Sequence, residues 1–356
     1  MKQNVVIIGD THFGARNNSM VWLKHQRDGF MEIIKYVEES VKTYDETIVI
    51  HVGDLFDSRS AINPLVYKTV EGLMRQMSRI MAEAHNSARM YIIGGNHDYY
   101  YQWESENNYS ATLMLPLFNR ITYVNTQPEE YAGMVMIPWF TFHNPVTLAE
   151  IMADKNPDKN LIFTHTDPYH MDPTLRKLIH GYPLITGHIH QPMMDWEDFI
   201  LVTGASYPID FTDTNSERGF WTMEREFCHV TEKNGKYSST RTEYNPKLSA
   251  LDFHPIKSSI HFFTITEHML PDWKTFGIKK DDYVEVQIRA SHVDDYKEIL
   301  KELTDNFNTT VMYLTEVSDI ITEHTEILNV DTVCRKLLPK KLTPIYKQMI
   351  EECKTT

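Results

Sequence analysis

Cysteine is scarce in this sequence of 356 residues, which contains only Cys228, Cys334 and Cys353. Their number is odd, and no two of them form a Cys-x-x-Cys pair. Neither a disulfide framework nor a zinc ribbon is therefore indicated, and a reducing compartment is expected. The chain also runs from Met1 to Asn4 straight into an apolar segment, which leaves no room for a signal peptide. We therefore expect a cytoplasmic protein.

Long apolar runs and an excess of positive charge are also missing. The longest apolar runs are short pieces such as Val5 to Ile8, well below the roughly 18 residues of a membrane span, so no membrane helix is expected. Lys and Arg number 35 against 49 Asp and Glu, a formal net charge of −14. This balance argues against nucleic-acid binding through net charge alone. It is compatible with a local basic surface, bound metal ions or a basic partner.

The sequence does contain an alternation of β-rich apolar runs and helical stretches from residue 1 to about 245, which favours a layered α/β domain. A helix is predicted over Leu23 to Thr43. After Pro64, apolar residues recur at three- and four-residue spacing up to Ala84, which predicts a second helix. The predicted strands are Val5 to Ile8, Ile48 to Val52, Met90 to Ile93, Met134 to Ile137, Leu161 to Thr164, Leu184 to Thr186 and Leu201 to Thr203.

Two further units follow this domain of residues 1–245. A small α+β domain is predicted over residues 246–326. Its elements are strands at His261 to Thr266, Tyr283 to Ile288 and Thr310 to Thr315 and a helix at Asp294 to Asn306. Residues 327–356 mix apolar and basic positions around Pro339 and Pro344, which predicts a tail of short amphipathic helices.

Five of the predicted strands end, within a residue or two, in a residue type that binds metal ions. The five blocks read Gly9-Asp10-Thr11-His12, Gly53-Asp54-Leu55-Phe56-Asp57, Gly94-Gly95-Asn96-His97-Asp98, Thr164-His165-Thr166 and Gly187-His188-Ile189-His190. In open α/β sheets the ligand crevice lies outside the carboxyl ends of the strands, so the five loops are expected to converge on one site. A single Asp-x-His or His-x-His arises easily by chance, whereas all five blocks in order do not.

The converging side chains supply carboxylate oxygen, amide oxygen and imidazole nitrogen. The candidate ligands are Asp10, His12, Asp54, Asn96, His165, His188 and His190. They are too many for one tetrahedral ion and suit two ions that share a bridging carboxylate. Their mixed nitrogen and oxygen chemistry favours Mn, Fe or Zn over Ca. Two carboxylates against two divalent ions leave a charge of about +2 to hold a phosphate and a hydroxide, which indicates hydrolysis of phosphate esters.

This five-part pattern resembles the calcineurin-like metallophosphoesterase superfamily. More narrowly, it is similar to the SbcD-type nuclease subunits of SbcCD complexes, which repair double-strand breaks with an SMC-like ABC ATPase. The narrower resemblance rests on Gly53 to Ser58 before a helix near Pro64, on Ile137-Pro138-Trp139, on Gly187 to Pro192, and on Gly204-Ala205-Ser206 followed by Phe211 and Arg218-Gly219-Phe220. It implies a layered β-sandwich flanked by helices, with residues 246–326 as a small capping domain that contacts DNA and 327–356 as a helical partner-binding tail.

The resemblance also implies roles for the ligands. Asp10, His12 and His190 would hold one ion and Asn96, His165 and His188 the other, with Asp54 bridging them. His97 would be the catalytic histidine, which donates a proton to the leaving oxygen or orients the phosphate. Asp98 would orient His97 through a hydrogen bond, or else cap the following turn. Mn is the expected metal, with Mg, Fe and Zn as alternatives.

Other residues near the five blocks have two possible roles each. His165 is preferred to the nearby His170 as a ligand because it directly follows the strand. Asp57 occupies a position that holds a histidine in some relatives, and we expect it to support the ligands rather than bind metal. Tyr99, Tyr100, Tyr101 and Trp103 either pack the loop or stack on unpaired bases. Arg16 and Arg59 are either solvated surface residues or phosphate contacts.

The resemblance further implies DNA as the substrate and two protein contacts. Helices at the position of Pro64 to Ala84 form a homodimer in the resembling family, which here points to Met74, Met77, Met81, Leu113, Met114 and Leu117, although the same residues suit a plain core. The tail matches the segment that docks on the coiled-coil base of the ATPase. The sequence has no Gly-x-x-x-x-Gly-Lys-Ser/Thr loop, so that ATPase would be a separate chain.

Three functions are compatible with this pattern. The favoured one is a two-metal DNA phosphodiesterase, an exonuclease and endonuclease that processes DNA ends in recombination, repair or replication and works with the ATPase. It would act near the nucleoid, or in the host cytoplasm if the source is viral. A stand-alone metallophosphatase or small-nucleotide phosphodiesterase shares the centre but needs no tail. An inactive scaffold is disfavoured by the intact ligand set.

Overall fold

The structure is a computed structural model, and it describes residues 1–100, 109–209, 213, 217–234, 237–244, 251–257, 261–280 and 282–314. For the strand residues 227–234 and 237–244 it describes the backbone alone. The predicted tail over 327–356, with Cys334 and Cys353, lies outside these ranges. Tyr101, Trp103 and Phe211 also lie outside them.

The first of two large sheets carries the amino-terminal strands, in the order β12-β11-β1-β2-β3-β4, with β13 also paired to β11. Strands β1 to β4 are parallel to one another, whereas β11 runs antiparallel to β1, β12 and β13. The strands are β1 (Lys2–Ile8), β2 (Glu46–His51), β3 (Ser87–Ile93), β4 (Ile121–Val124), β11 (Gly219–Asn234), β12 (Tyr237–Tyr244) and β13 (Leu251–Pro255).

The second large sheet has the order β5-β6-β7-β8-β10-β9, with β6, β7, β8 and β10 parallel. The two edge strands, β5 and β9, run antiparallel to their neighbours. The strands are β5 (Glu129–Tyr131), β6 (Met134–Met136), β7 (Leu161–His165), β8 (Leu184–Gly187), β9 (Met193–Asp195) and β10 (Ile200–Val202).

The two sheets pack face to face and helices cover both outer faces. Side chains alternate along a strand, so Val5 and Ile7 of β1 pack between the sheets, while Val6 and Ile8 pack against the helices. Strands buried on both faces read as continuous apolar runs, which is why these segments were readable in the sequence. The prediction of a layered α/β sandwich flanked by helices is therefore confirmed.

Each helix buries one apolar stripe against a sheet. The first sheet is covered by α2 (Met20–Thr43), which follows the single turn α1 (Ala15–Asn18), and by α3 (Pro64–Glu83). The side chain of Asn63 caps α3 by accepting the amide of Leu65, and Pro64 occupies the first helical position. The second sheet is covered by α4 (Trp139–Phe142), α5 (Pro145–Met152) and α6 (Pro173–Leu178).

The apolar stripe of α3 corrects one prediction. Met74, Met77 and Met81 are buried in the core against the chain's own first sheet, so their assignment to a dimer interface is wrong. Periodicity shows that a stripe is buried but does not show against what. The other three predicted interface residues, Leu113, Met114 and Leu117, are exposed.

A third, smaller sheet lies after the first two in sequence. It is parallel throughout, in the order β14 (Phe262–Thr266), β15 (Tyr283–Arg289) and β16 (Asn308–Leu314), and packs against α7 (Lys297–Asn306). The stacked rings of Phe262 and Tyr283 contact Trp22 of α2 and join this module to the first domain. Strand β13 belongs to the first sheet, so that sheet continues past the boundary predicted at residue 245.

The helices in the described ranges include none that is both long enough and apolar enough to cross a membrane.

Candidate metal centre

The metal centre lies where the carboxyl ends of five strands from both large sheets meet. The loops after β1, β2 and β3 come from the first sheet, and those after β7 and β8 from the second. Backbone hydrogen bonds tie the loops together, since the amides of Thr11 and His12 both donate to the carbonyl oxygen of Asp54, at 3.1 and 3.0 Å. The amide of His188 donates to the Asp10 carboxylate at 3.0 Å. The five sequence blocks therefore form one site.

One group of candidate ligands consists of Asp10, His12 and His190. Each offers a ligand atom within 4.8 Å of the others. The Nε2 atom of His190 lies 3.9 Å from Oδ2 of Asp10, and the rings of His12 and His190 have centroids 5.0 Å apart. These are the three residues that the resemblance implied for one ion.

A second group forms around His165. Its Nε2 atom lies 3.3 Å from Oδ2 of Asp54 and 2.8 Å from Oδ1 of Asn96. The same Asn96 oxygen lies 2.9 Å from Nδ1 of His188. Asp54 Oδ2 also lies 3.5 Å from Nε2 of His12 in the first group. Asp54 thus stands between the two groups, the place that a bridging carboxylate must occupy.

His97 also lies near the first group, since His12, Asp54 and His97 offer three ligand atoms within 4.8 Å of one another. The backbone amide of His97 donates to Asp54 Oδ1 at 2.8 Å. Its Nδ1 atom donates to the carbonyl oxygen of Asp57 at 2.8 Å. The Asp57 carbonyl therefore fixes the ring and leaves Nε2 as the nitrogen available to a substrate.

The ligand rings are oriented by groups behind them. His165 Nδ1 donates to the carbonyl oxygen of Val52 at 3.0 Å, which leaves Nε2 to face the site. Oδ1 of Asp57 lies 3.4 Å from Nδ1 of His12. The fully buried His51 lies 3.0 Å from the Thr11 hydroxyl and accepts the Gly53 amide, which joins the first two loops. Asp57 and His51 both support the ligands rather than extend the ligand set.

Asp98 has a different role from the one predicted. Its buried carboxylate accepts three backbone amides, from Gly95 at 3.0 Å, Phe56 at 3.1 Å and Leu55 at 3.2 Å. The His97 ring instead donates from Nδ1 to the carbonyl oxygen of Asp57. The expectation that Asp98 orients the His97 ring is therefore wrong. The carboxylate instead fastens the Asp54 loop to the Asn96 loop.

The electrostatics of the site call for cations. Burial, reinforced by the Asp54 charge, raises the pKa of Asp10 to about 7. Burial disfavours charge on His165 as well, but the Asp54 and Asp10 carboxylates outweigh it and raise its pKa to about 9. Neither ring nitrogen of the buried His12 makes a well-formed hydrogen bond among the described residues, and carboxylate oxygens of Asp57 and Asp54 lie at 3.4 and 3.5 Å from them. Buried carboxylate oxygens and imidazole nitrogens that converge on the same space are the ligand types of divalent metal ions, so this donor set fits such cations.

The backbone of the site is strained where the ligands lie. His12, Asp54 and His188 have positive φ angles of 41°, 52° and 80°, a conformation that side chains other than glycine rarely adopt and that clusters at functional sites. At Gly95 a Cβ atom would overlap the carboxylate and amide of Asp54. The glycine before Asn96 is therefore required by close packing against the bridging carboxylate.

Several other candidates are accounted for by the structure. His170 is exposed and its Nδ1 pairs with Asp167 at 2.8 Å, away from the ligand groups. Tyr99 is buried and its hydroxyl donates to the carbonyl of Asn125, so it packs the loop. Arg16 donates to the carbonyl of Ile209 and its guanidinium lies over the Phe262 ring at 5.7 Å. It therefore joins the small module to the first domain.

A cavity of about 610 Å³ adjoins His97. It is lined by Asp57, Ser58, Arg59, Ser60, His97 and Tyr100. Arg59 is the cationic residue of this lining and lies on the loop that carries Asp54. The cavity is open to solvent on one side and meets the candidate metal centre at His97.

Comparison with known proteins agrees with this geometry. Residues 3–192, more than half of the chain, match the family described as calcineurin-like phosphoesterase. The chain belongs to this family. Its members are metallophosphoesterases that bind two divalent ions. The matched region ends just after His190 and contains all seven candidate ligands.

Two individual proteins are similar to the chain. The DNA double-strand break repair protein Mre11 of Nanoarchaeum equitans is 22% identical over 254 residues, which cover 62% of this chain and 66% of that protein. The chain thus spans just under two thirds of that relative. The crystal structure of the nuclease MPE of Pseudomonas putida matches with 13% identity and a TM-score of 0.26, covering 61% of this chain and 83% of that one.

Proposed function

We propose that this chain is a two-metal DNA phosphodiesterase that processes DNA ends. The observation that carries the proposal is the position of His97, which lies against both the ligand group and the cavity of about 610 Å³. A histidine held at Nδ1 by a carbonyl presents Nε2 to whatever leaves the reacting phosphate. The similarity to Mre11 supports DNA as the source of that phosphate.

The residues divide the work as follows. Asp10, His12 and His190 would hold one ion, Asn96, His165 and His188 the other, and Asp54 both, with Mn as the proposed metal. Two such ions supply an activated water and neutralise charge on the phosphate. In its imidazolium form, His97 donates its Nε2 proton to the leaving oxygen. Arg59 holds a neighbouring phosphate of the strand in the cavity next to His97, which favours a diester over a small monoester.

Digestion of end-labelled linear duplex DNA with Mn, with Mg and with chelator tests this function. We expect Mn-dependent cleavage that Asp54→Asn abolishes, because the bridging ligand is lost. His97→Asn should retain the ions but cleave at least about 100-fold more slowly, the usual scale of general acid catalysis. Asp158→Asn, the same change at an exposed carboxylate, is the matched control and should cleave normally.

Failure of this proposal has a defined form. If the wild-type chain cleaves no DNA under any metal but hydrolyses a simple phosphomonoester, the chain is a metallophosphatase or small-nucleotide phosphodiesterase. If Asp54→Asn cleaves DNA as fast as the wild type, the cleavage comes from a contaminant and the proposed centre is not responsible.

We place the proposed homodimer interface on an exposed patch beside α3, because the methionines of α3 itself are buried. The patch consists of Leu65, Leu113, Met114 and Leu117, and the last is 94% exposed. The hydroxyl of Tyr67 donates to the Met114 carbonyl at 3.0 Å and holds the patch against α3. Light scattering at about 50 µM should give a dimer, and Leu117→Arg should give a monomer. Val146→Arg, at an exposed residue outside the patch, should remain dimeric, and a monomeric wild type refutes the patch.

Two further proposals concern the end of the chain and the small module. Residues 327–356 would bind a separate SMC-like ABC ATPase, and the module after residue 255 would act as a cap that contacts DNA. A partner of this kind also supplies positive charge for duplex binding, which an acidic chain needs from elsewhere.

A further inference from the structure

Three aromatic residues border the metal centre on the side of the second sheet. Tyr99, Trp139 and His143 lie in a row, with ring centroids 6.2 Å apart for the first pair and 5.1 Å apart for the second. We call these three residues the aromatic wall. The wall begins directly after His97 and Asp98 and ends beside the loop of His165.

The wall is fastened to the loops that carry the ligands. The amide of Trp139 donates to the carbonyl of Gly94 at 2.9 Å, so α4 is tied to the loop of Asn96. His143 Nδ1 donates to the carbonyl of Trp139 at 2.8 Å. Its Nε2 lies 3.3 Å from the hydroxyl of Thr166, the residue that follows His165. Trp139 and His143 are therefore fixed relative to the loops of Asn96 and His165, two ligands of the second group, before a substrate binds.

Part of the wall is open to solvent. Tyr99 is buried, Trp139 is half-buried and His143 is exposed. Trp139 and His143 thus offer partly exposed aromatic rings beside the loops that carry Asn96 and His165. The part of a nucleotide that suits such a face is its base, because every base has a π-face that stacks on aromatic rings. A ring already held in place loses little conformational entropy when it does so.

We propose that Trp139, backed by His143, stacks on the base of a nucleotide next to the scissile phosphate. Trp139 is then a specificity-determining residue that favours strands with an unpaired base over simple phosphate esters. The inference deepens the proposed nuclease function and rests on it. It assigns base stacking to α4 in place of Tyr99, whose ring is buried.

Steady-state kinetics on three substrates, two of them strands of equal length with and without bases, test the inference. The substrates are a single-stranded oligonucleotide, an oligomer of equal length built from abasic residues, and bis(p-nitrophenyl) phosphate. With Mn, Trp139→Ala should raise KM for the base-bearing strand about tenfold and leave KM for the other two substrates within about twofold. Trp196→Ala, which removes an exposed tryptophan from the turn between β9 and β10 at the opposite end of the sheet, should change none of them.

A binding measurement without metal gives an independent readout. In the presence of chelator, an oligonucleotide that contains 2-aminopurine should lose fluorescence on binding to the wild type and to Trp196→Ala. Trp139→Ala should abolish this quenching, and Trp139→Phe should retain part of it. If Trp139→Ala does not fold, the quenching by Trp139→Phe and by His143→Ala is compared with that of the wild type instead, and both variants should quench less.

Two outcomes overturn the inference. The first is an equal rise in KM on all three substrates for Trp139→Ala, which marks Trp139 as a structural residue. The second is quenching of 2-aminopurine fluorescence by Trp139→Ala that is as strong as that of the wild type. A wild type that cleaves neither oligomer refutes the nuclease proposal instead, and the quenching experiment still decides whether Trp139 stacks on bases.

Discussion

At the level of single residues, the metal centre is built by close backbone approach, which makes glycines as important as ligands. A Cβ atom at Gly95 would overlap the Asp54 carboxylate, whereas one at Gly72 in α3 would meet nothing within 4 Å. Gly95→Ala should therefore displace Asp54 and lower the free energy of unfolding by roughly 1 to 3 kcal/mol. Gly72→Ala should raise it by about 0.5 to 1 kcal/mol, because alanine favours the helix.

Urea unfolding and Mn titration of the two variants check this pair. The expected result is a weaker Mn affinity for Gly95→Ala and an unchanged affinity for Gly72→Ala. A Gly95→Ala variant with wild-type Mn affinity would mean that Asp54 is not a ligand at this position.

The candidate ligands and the supporting role of Asp57 can be predicted from residue type and position, whereas the backbone carbonyls that orient the ligand rings cannot. Asp10 or His165 can be predicted because each directly follows an apolar strand and has a metal-binding chemistry. The carbonyls of Val52 and Asp57, which orient His165 and His97, leave no mark in the residue type that carries them. Asp98 looked like a partner of His97 because the two are adjacent, but its carboxylate points to amides of another loop.

At the level of elements, the sequence predicts the strands with two buried faces and the three strands β14, β15 and β16 of the small module. It does not predict β4, β5, β9, β11, β12 or β13. The runs at β1, β2 and β7 are continuous and apolar, so the sequence identifies them directly. Strands β11, β12 and β13 follow one another without such runs, and their pairing with β1 closes the sheet from a distant part of the chain. Non-local pairing of this kind is decided by tertiary packing rather than by local pattern.

Helix α2 connects the first domain to the small module, and a buried histidine on it makes this junction sensitive to pH. Burial lowers the pKa of His25 to about 4, and the nearby His261 lowers it further against the opposing charge of Asp28. The folded state then binds fewer protons than the unfolded state between about pH 6.5 and 4. Stability from this group is therefore complete above pH 6.5 and is lost as the pH falls towards 4, by up to about 3 kcal/mol.

Urea unfolding from pH 7 to 5 measures this slope. His25→Phe should flatten the decline, since the aromatic contact with Trp22 is kept without a titrating group. His85→Gln, which alters an exposed histidine, should leave the decline as in the wild type. An unchanged slope in His25→Phe would show that the junction does not sense pH through this residue.

At the level of the whole molecule, metal binding and folding are coupled through buried charge. Asp10 is buried, and its pKa of about 7 means that its carboxylate destabilises the metal-free fold at pH 8. Divalent ions remove this cost and add RT ln(1 + [L]/Kd), about 2.7 kcal/mol at 100 times Kd. A site that is unfavourable when empty is the expected trade between stability and function.

Asp10→Asn should separate the two effects. Its side-chain oxygen can still accept the His188 amide that now bonds to Asp10, so the fold is retained while the charge is lost. In chelator at pH 8 this variant should be more stable than the wild type, by at most about 4 kcal/mol for a pKa raised by about three units. Added Mn should raise the melting temperature of the wild type and change that of the variant little. A variant that is less stable in chelator, yet gains as much from Mn as the wild type, would refute the placement of Asp10 in the centre.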